Sequence, residues 1–270
     1  MMNHRALSGL HKLSSELFYD GRMGVPESLE ENCPESLKYL REYFMKFQAN
    51  GPQPETTKSF VPRFLVDYNY FFEVEELFKS FWNSTYYNWV MARILELLDD
   101  PSFTQIDGLQ PGTILILSLF REAFEKYRQA VGKDVAEEDR ARVEVRTLGT
   151  VAGAEADVVF VDMVMYTASP HTNDPKRLCV ALTRARQAEV IMMSSGMGRR
   201  SETEDFSPTN LAAIYNGCES GEHGTLVVMP QEPKKKKQEP QNKERRKTFG
   251  KNITDQPEVV KTSTDQEAND

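Results

Sequence analysis

Arg184 and Arg186 stand two residues apart in "DPKRLCVALTRARQAEVIMM", residues 174–193, where a helix should end and a strand begin. An arginine presented to a cleft can stabilise the charge that spreads over a transferring phosphoryl group. Where an arginine finger operates, that effect is roughly 10³- to 10⁵-fold in rate. Upstream, "VRTLGTVAGAEADVVFVDMV" (145–164) carries Gly153, which permits close backbone approach to a ligand or a positive φ. Two residues later Glu155 offers a carboxylate that can accept hydrogen bonds from a ribose hydroxyl. Both stretches also have plainer readings. A Gly-Ala-Glu turn can be only a turn, and arginines at a helix C-terminus neutralise its dipole.

These residues need elements to position them. Asn173 or Asp174 can cap the arginine helix and Pro175 suits its first turn, with Leu178, Ala181, Leu182 and Ala185 as its apolar stripe. On such a helix Arg177 and Arg184, seven apart, share a side, whereas Arg184 and Arg186 diverge. Helices are also expected in "HRALSGLHKLSSELF", with Leu7, Leu10, Leu13 and Leu17 on one stripe, and in "PESLKYLREYFMKF", starting at Pro34. Two more follow in "NWVMARILELL", with Asn88 as cap, and "FREAFEKYRQAV". Strands are expected at "RFLVDY", "TILILSL", "VEVRTL" and "DVVFVDMV", with "EVIMMSS" as the last. Strands this apolar, separated by helices, predict an α/β fold: a parallel sheet with helices on both faces. Open sheets of that kind hold ligands outside the carboxyl ends of their strands. Arg184 is therefore expected to project into an open cleft at the carboxyl edge. Glu155 should share that edge, and Arg186 should pack elsewhere.

The chain of 270 residues is long enough to bury a substantial core. Its net charge of −8 argues against a surface that grips nucleic acid on every side, while leaving a local basic groove open. Cys33, Cys179 and Cys218 are widely spaced, form no zinc pattern and fit a reducing compartment; no metal site is expected. No apolar run is long enough to span a bilayer and no signal peptide is evident, so an intracellular protein, nuclear or cytoplasmic, is expected. Composition changes after Met229. Residues 230–251 hold nine Lys and Arg against three Glu, and residues 252–270 one Lys against five acids. With almost no aliphatic residues, 230–270 is expected to be a disordered tail beside a domain of residues 1–229. "PKKKKQEPQNKERRK" reads equally as an import or polyanion-binding signal and as a solvated charge run.

Taken together, "TLGTVAGAEADVVFVDMV" and "DPKRLCVALTRARQAEVIMM" resemble motifs V and VI of superfamily 1 helicases, in the branch related to the nonsense-mediated-decay RNA helicase. "NHRALSGLHKLSSELFYDGRM" looks like the motif IV segment with its "FYDG" turn. "ILILSLFREAF" is similar to the element that usually ends in Pro-Tyr-Arg, and "STYYNWVMARIL" is a looser match. The resemblance runs in collinear order from about residue 3 to 200. It implies the C-terminal RecA-like, P-loop-NTPase-type domain of an ATP-dependent helicase. It makes Arg184 the arginine finger, Arg5 a second phosphate contact and Glu155 the ribose contact. Thr147 and Gly153 then belong to the loop between nucleotide and nucleic-acid backbone.

Departures from the pattern are Ala152 where Gln is usual, Gly149 at an acidic or histidine position, Leu119 for Pro and Ala123 for Gln. The phosphate loop G-x-x-x-x-G-K-S/T does not occur: "VGKD" at 131–134 lacks its spacing and its hydroxyl. "VVFVDMV" imitates a magnesium-positioning strand ending at Asp162 but already belongs to motif V. The motifs that are found, IV to VI, imply the second half of a motor. ATP with Mg²⁺ would be bound only with a first RecA-like domain, supplied in cis or in trans, and the polymer partner would be single-stranded RNA or DNA. The competing expectation is a non-catalytic, helicase-derived module that binds protein or nucleic acid.

Overall fold

The computed structural model describes residues 2–4, 6–27, 33–48, 60–68, 75–77, 80–151, 153–199 and 209–229. The chain divides into two units, Met1–Glu232 and Pro233–Asp270. The second unit, and with it the whole of the expected tail (230–270), lies outside the described residues.

Among the described residues the apolar runs become eight strands: β1 (Arg63–Tyr68), β2 (Glu75–Leu77), β3 (Ser80–Trp82), β4 (Ile114–Ser118), β5 (Val143–Thr147), β6 (Ala156–Asp162), β7 (Ala185–Met192) and β8 (Thr225–Met229). β2 and β3 form a small antiparallel ribbon. The other six make one sheet in the order β5-β4-β6-β7-β1-β8, and every pairing is parallel. This is the parallel α/β sheet that the strand pattern called for, in the RecA-like form that the helicase resemblance implied.

Among the described residues seven α-helices are bounded: α1 (His11–Phe18), α2 (Glu35–Met45), α3 (Ser84–Asp99), α4 (Arg121–Asp134), α5 (Pro175–Ala181), α6 (Ser195–Arg199) and α7 (Thr209–Glu219). They cover both faces of the sheet. Ile114 and Ile116 of β4 and Val158 and Phe160 of β6 point into a core shared with Phe44, Val90, Ile94 and Tyr127, so α2, α3 and α4 lie on that face. Leu115, Leu117, Val159 and Val161 point the other way, against Leu13, Leu178, Met197 and Ile214 of α1, α5, α6 and α7. Burial on both faces explains why β4 and β6 read as unbroken apolar runs. Each fully buried aliphatic or aromatic side chain contributes about 1.5–3 kcal/mol.

The local reading needs four corrections. α3 begins a turn before Asn88 because Asn83 caps it, its Oδ1 accepting from the N–H groups of Thr85 (3.0 Å) and Tyr86 (3.1 Å). Leu7 is not on a helix: α1 starts at His11, after a turn in which Ser8 and Gly9 have positive φ. The arginine helix ends at Ala181, so Ala185 and Arg186 belong to β7. β7 is also not the last strand, since "TLVVM" forms β8 on the free side of β1. β8 is a short edge strand with mixed burial, and in the sequence it runs straight into the charged segment.

One buried charge organises the amino ends of the strands. Arg63, fully buried on β1, donates Nε to Glu189 of β7 at 2.5 Å, Nη1 to the carbonyl of His223 at 2.8 Å and Nη2 to that of Leu10 at 2.9 Å. It thereby ties β7, the turn before β8 and the N-terminal segment together. Burial pushes the Glu189 carboxyl upward and the Arg63 charge opposes that shift.

Candidate functional site

Every strand of the sheet runs the same way, so the residue before each strand lies at the amino edge. Glu155 precedes β6, Arg184 precedes β7, and these strands are neighbours. The two residues therefore share an edge, as expected, but it is the amino edge and not the carboxyl edge. The expectation failed because the loop from β5 crosses the whole height of the sheet. It leaves the carboxyl end at Thr147 and delivers Glu155 to the opposite end. Gly153 sits in that loop with φ +83°, and a Cβ there would meet nothing within 4 Å, so glycine is required by conformation and not by space. Ala152 and Arg5 lie outside the described residues.

Arg184 is half-buried. It donates Nε to the carbonyl of Val180 at 3.1 Å, Nη1 to that of Ala154 at 3.5 Å and Nη2 to Thr183 Oγ1 at 3.4 Å. Arg184, expected to project into an open cleft, is thus braced against two backbone oxygens and a hydroxyl, which hold the guanidinium beside the end of the Gly153 loop. A cleft of about 310 Å³ opens there, lined by Met2, Asn3, His4, Tyr19, Met23, Thr183 and Arg184. The N-terminal segment forms its second wall and is fixed by two bonds. Leu7 N–H donates to the carbonyl of Arg186 at 3.0 Å, and Arg63 holds Leu10. Tyr19 belongs to the "FYDG" turn. Its hydroxyl lies 3.3 Å from Cys179 Sγ, which with burial raises the phenol's pKa, while the Arg184 charge acts in the opposite direction.

Arg186 does not pack elsewhere. The register between β6 and β7 steps from Ala156↔Ala185 to Val158↔Ala188, so Arg186 and Gln187 together face the single residue Asp157. A bulge of this kind re-aims side chains. Arg186 grips the buried Asp157 carboxylate through Nε at 3.2 Å and Nη2 at 3.1 Å, and Nη2 also reaches Thr113 Oγ1 at 3.0 Å. Gln187 Nε2 donates to the same carboxylate at 3.1 Å, and Thr113 adds its N–H at 2.9 Å and its hydroxyl at 2.7 Å. From this anchored position Arg186 Nη1 lies 3.7 Å from Glu155 Oε1, both groups being partly exposed. The divergence expected for two residues on a helix does not arise, because Arg184 ends a turn and Arg186 sits on a bulged strand. Arg177, expected on the same side as Arg184, is at the opposite edge, at the start of α5.

The carboxyl edge carries different chemistry. Thr147 ends β5, and its hydroxyl lies 3.0 Å from that of Thr150. Asp162 ends β6 fully buried, accepting from Tyr127 Oη at 2.8 Å and from the N–H of Val164 at 2.8 Å. Burial raises its pKa to about 7 in spite of those donors. Val164 itself has φ +62°, a strained value for a β-branched residue, fixed by Asp162 on one side and Asn83 Nδ2 on its carbonyl on the other. Asp162 is thus a structural acid and not a magnesium ligand.

The structure brings Glu155 and Arg184 together around one edge and leaves Thr147 on the other. Sequence reasoning missed Asp157, Thr113 and Gln187, since only a bulge collects them. It also missed His4, Tyr19 and Thr183 as cleft residues, although "NHR" and "FYDG" were already singled out. Among the described residues no cluster of His, Cys, Asp and Glu could hold a metal ion. No helix among them is long and apolar enough to cross a membrane.

A family model described as an AAA domain matches residues 1–196. Among solved structures, the chain is similar to the C-terminal domain of a possible DNA helicase from Lactobacillus plantarum WCFS1, at 14% identity and a TM-score of 0.40, over 83% of this chain and 98% of that chain. A comparison with curated proteins finds no match.

Proposed function

We propose that this chain, which belongs to the AAA domain family, acts as the C-terminal RecA-like half of an ATP-dependent nucleic-acid helicase of superfamily 1. In this reading Arg184 is the arginine finger, Glu155 contacts the ribose, Arg5 is a second phosphate contact, and the Gly153 loop links the nucleotide to Thr147 and a single strand of RNA or DNA. The observation that supports it best is the shared amino edge: Glu155 and Arg184 end the connections into neighbouring strands, and Arg184 lines a cleft there. A guanidinium and a carboxylate fit the phosphate and the ribose of a nucleotide. Among the described residues no magnesium-holding group accompanies them. That part, with the phosphate loop, falls to a first RecA-like domain in cis or in trans. ATP with Mg²⁺ would supply the phosphoryl group, and Arg184 the counter-charge as it transfers.

The test is ATP turnover by the purified chain alone and with a superfamily 1 first RecA-like domain added, with and without single-stranded RNA or DNA. The chain alone should not turn over at helicase-like rates. Strong strand-stimulated turnover by the chain alone, abolished by Arg184→Ala, would overturn the reading. A second reading, a non-catalytic helicase-derived binding module, draws on the pairing of Glu155 with Arg186 and on Ala123, which is 2% exposed and leaves no room for the usual glutamine. It predicts strand or protein binding without turnover in any combination. We further assign residues 230–270 as a separate charged tail, whose removal after Met229 should leave the melting temperature of the domain nearly unchanged. Moving a neutral reporter into the nucleus would identify its basic segment as an import signal.

A further inference from the structure

Arg186 does more than neutralise a buried acid. Asp157, 1% exposed, takes five donors from three residues: Arg186 Nε and Nη2, Gln187 Nε2, and the N–H and hydroxyl of Thr113. Gln187, itself fully buried, is fixed in turn. Its Oε1 accepts from Ser36 Oγ of α2 at 2.6 Å, and its Nε2 also donates to the Thr104 carbonyl at 2.9 Å. A guanidinium bound through two nitrogens to a carboxylate held this firmly has its plane set, because the fork of donors matches the carboxylate geometry. The third nitrogen, Nη1, lies 3.7 Å from Glu155 Oε1, in a pair of which both members are partly exposed. Neutralising Asp157 accounts for the charge and for Nε and Nη2. It does not account for a second carboxylate at Nη1. The backbone of the same residue reaches the cleft. The Arg186 carbonyl accepts from Leu7 N–H at 3.0 Å, and the segment before Leu7 supplies Asn3 and His4 to the cleft that Arg184 lines. Ala156 N–H bonds the Arg184 carbonyl at 3.3 Å, which keeps the end of the Glu155 turn against the start of β7.

We propose that Arg186, clamped by Asp157, is a positioning residue that aims the Glu155 carboxylate, so that the site selects a ribonucleoside triphosphate over its deoxy forms. The proposal rests on the nucleotide reading of Glu155 and adds how that carboxylate is held and what it discriminates. A carboxylate whose place is set before the sugar arrives loses less freedom on binding, so its bond to a sugar hydroxyl contributes more. Without the arginine, Glu155 would keep its charge but lose its direction. Sugar preference should then weaken while the phosphate-directed role of Arg184 is left intact.

The experiment measures KM and kcat for ATP, 2′-deoxy-ATP and 3′-deoxy-ATP with the full chain and an added first RecA-like domain. The wild type should show a KM about tenfold lower for ATP than for at least one deoxy form, the size of one hydrogen bond to a charged group. Glu155→Ala should erase that ratio. Arg186→Met should cut it to about twofold or less by raising the KM for ATP, with kcat within about twofold of wild type. Arg184→Ala should instead lower kcat and keep the ratio. Because Arg186→Met leaves the Asp157 charge buried, Arg186→Lys is the companion variant. Its ammonium still neutralises Asp157 but lacks the fork that holds one acid and meets another, so the ratio should fall again. If Glu155→Ala erases the ratio and both Arg186 variants keep it, Arg186 only clamps the strand, and the proposal is overturned while the nucleotide reading stands. An equal loss for all three nucleotides in the Arg186 variants has the same meaning. If the wild type shows no sugar preference, or turns over no nucleotide with the first domain present, Glu155 is not the ribose contact, and that reading falls together with the proposal.

Discussion

The two edges of the sheet hold carboxylates of opposite fate. At the amino edge Glu155 keeps 33% of its side chain exposed and meets Arg186 across 3.7 Å. At the carboxyl edge Asp162 is fully buried, bonded by Tyr127, and raised to about 7. The sequence around Asp162, a hydrophobic run ending in an acid, has the stronger look of a catalytic motif, and the rule for doubly wound sheets points to its edge. Yet that acid is held by the fold, while the modest Gly-Ala-Glu turn leaves its acid partly exposed at the amino edge. Exposure, and not the outline of a motif, separates an acid that can meet a ligand from one that cannot.

The sharpest way to break this comparison is at Arg184. In the chain combined with a first RecA-like domain, Arg184→Ala should lower ATP turnover by 10³-fold or more. Its cost to stability should be about 1 kcal/mol, because the bonds it makes to Val180 and Ala154 are only partly buried. Urea unfolding and a turnover assay on one preparation measure both. A variant that lost several kcal/mol and left turnover unchanged would make Arg184 a structural group like Asp162.

Arg63 gives the opposite pattern at the same edge. Arg63→Met strands Glu189 in the core and should destabilise by about 3–5 kcal/mol, with Arg63→Met/Glu189→Leu recovering most of that loss. Chemical denaturation of the two variants decides it. A single variant within 1 kcal/mol of wild type would mean that Glu189 finds water or relaxes to a neutral form without cost.

Much of this arrangement was legible in the sequence, and the reasons for the gaps are specific. β1, β4, β6 and α2 follow from apolar period and from Pro34, since burial on one or two faces leaves a direct mark. The proposed pair, Glu155 and Arg184, was legible as residues but not as an edge, because a loop that starts at the carboxyl end of β5 and finishes at the amino end of β6 has no signature of its length in space. The β7 bulge left no trace either. Only the register against β6 shows that Arg186 and Gln187 share Asp157. Asn83 rather than Asn88 caps α3 because both asparagines precede apolar helical residues, and only Asn83 has an extended backbone there.

Asp162 sharpens the comparison through pH. Its carboxyl pKa is raised from 3.8 to about 7 in the folded state, chiefly by burial. Between those values the native state holds a proton that the unfolded state has lost, so this group's contribution falls as pH rises from about 4 and the loss is complete above about 7. Asp162→Asn cannot follow that change. Relative to wild type, its melting temperature should be more favourable at pH 8 than at pH 5, as calorimetry at the two pH values would show. A parallel decline in both proteins would assign the pH dependence to other groups.

The smallest effect concerns the loop that joins the two edges. Gly153 holds φ +83° at the end that delivers Glu155, and nothing stands within 4 Å of a Cβ added there. Alanine would therefore meet no clash but would carry the backbone penalty of a left-handed conformation, about 1 kcal/mol of destabilisation. Gly132, exposed near the end of α4, also has nothing within 4 Å, and its backbone is helical. Here alanine removes unfolded-state freedom without strain, so Gly132→Ala should stabilise by about 0.5–1 kcal/mol. Two substitutions with the same chemistry and the same empty surroundings should thus shift the unfolding midpoint in opposite directions. If Gly153→Ala proved neutral, the loop would be free to adopt an ordinary conformation, and nothing in the backbone would then fix Glu155 at the edge it shares with Arg184.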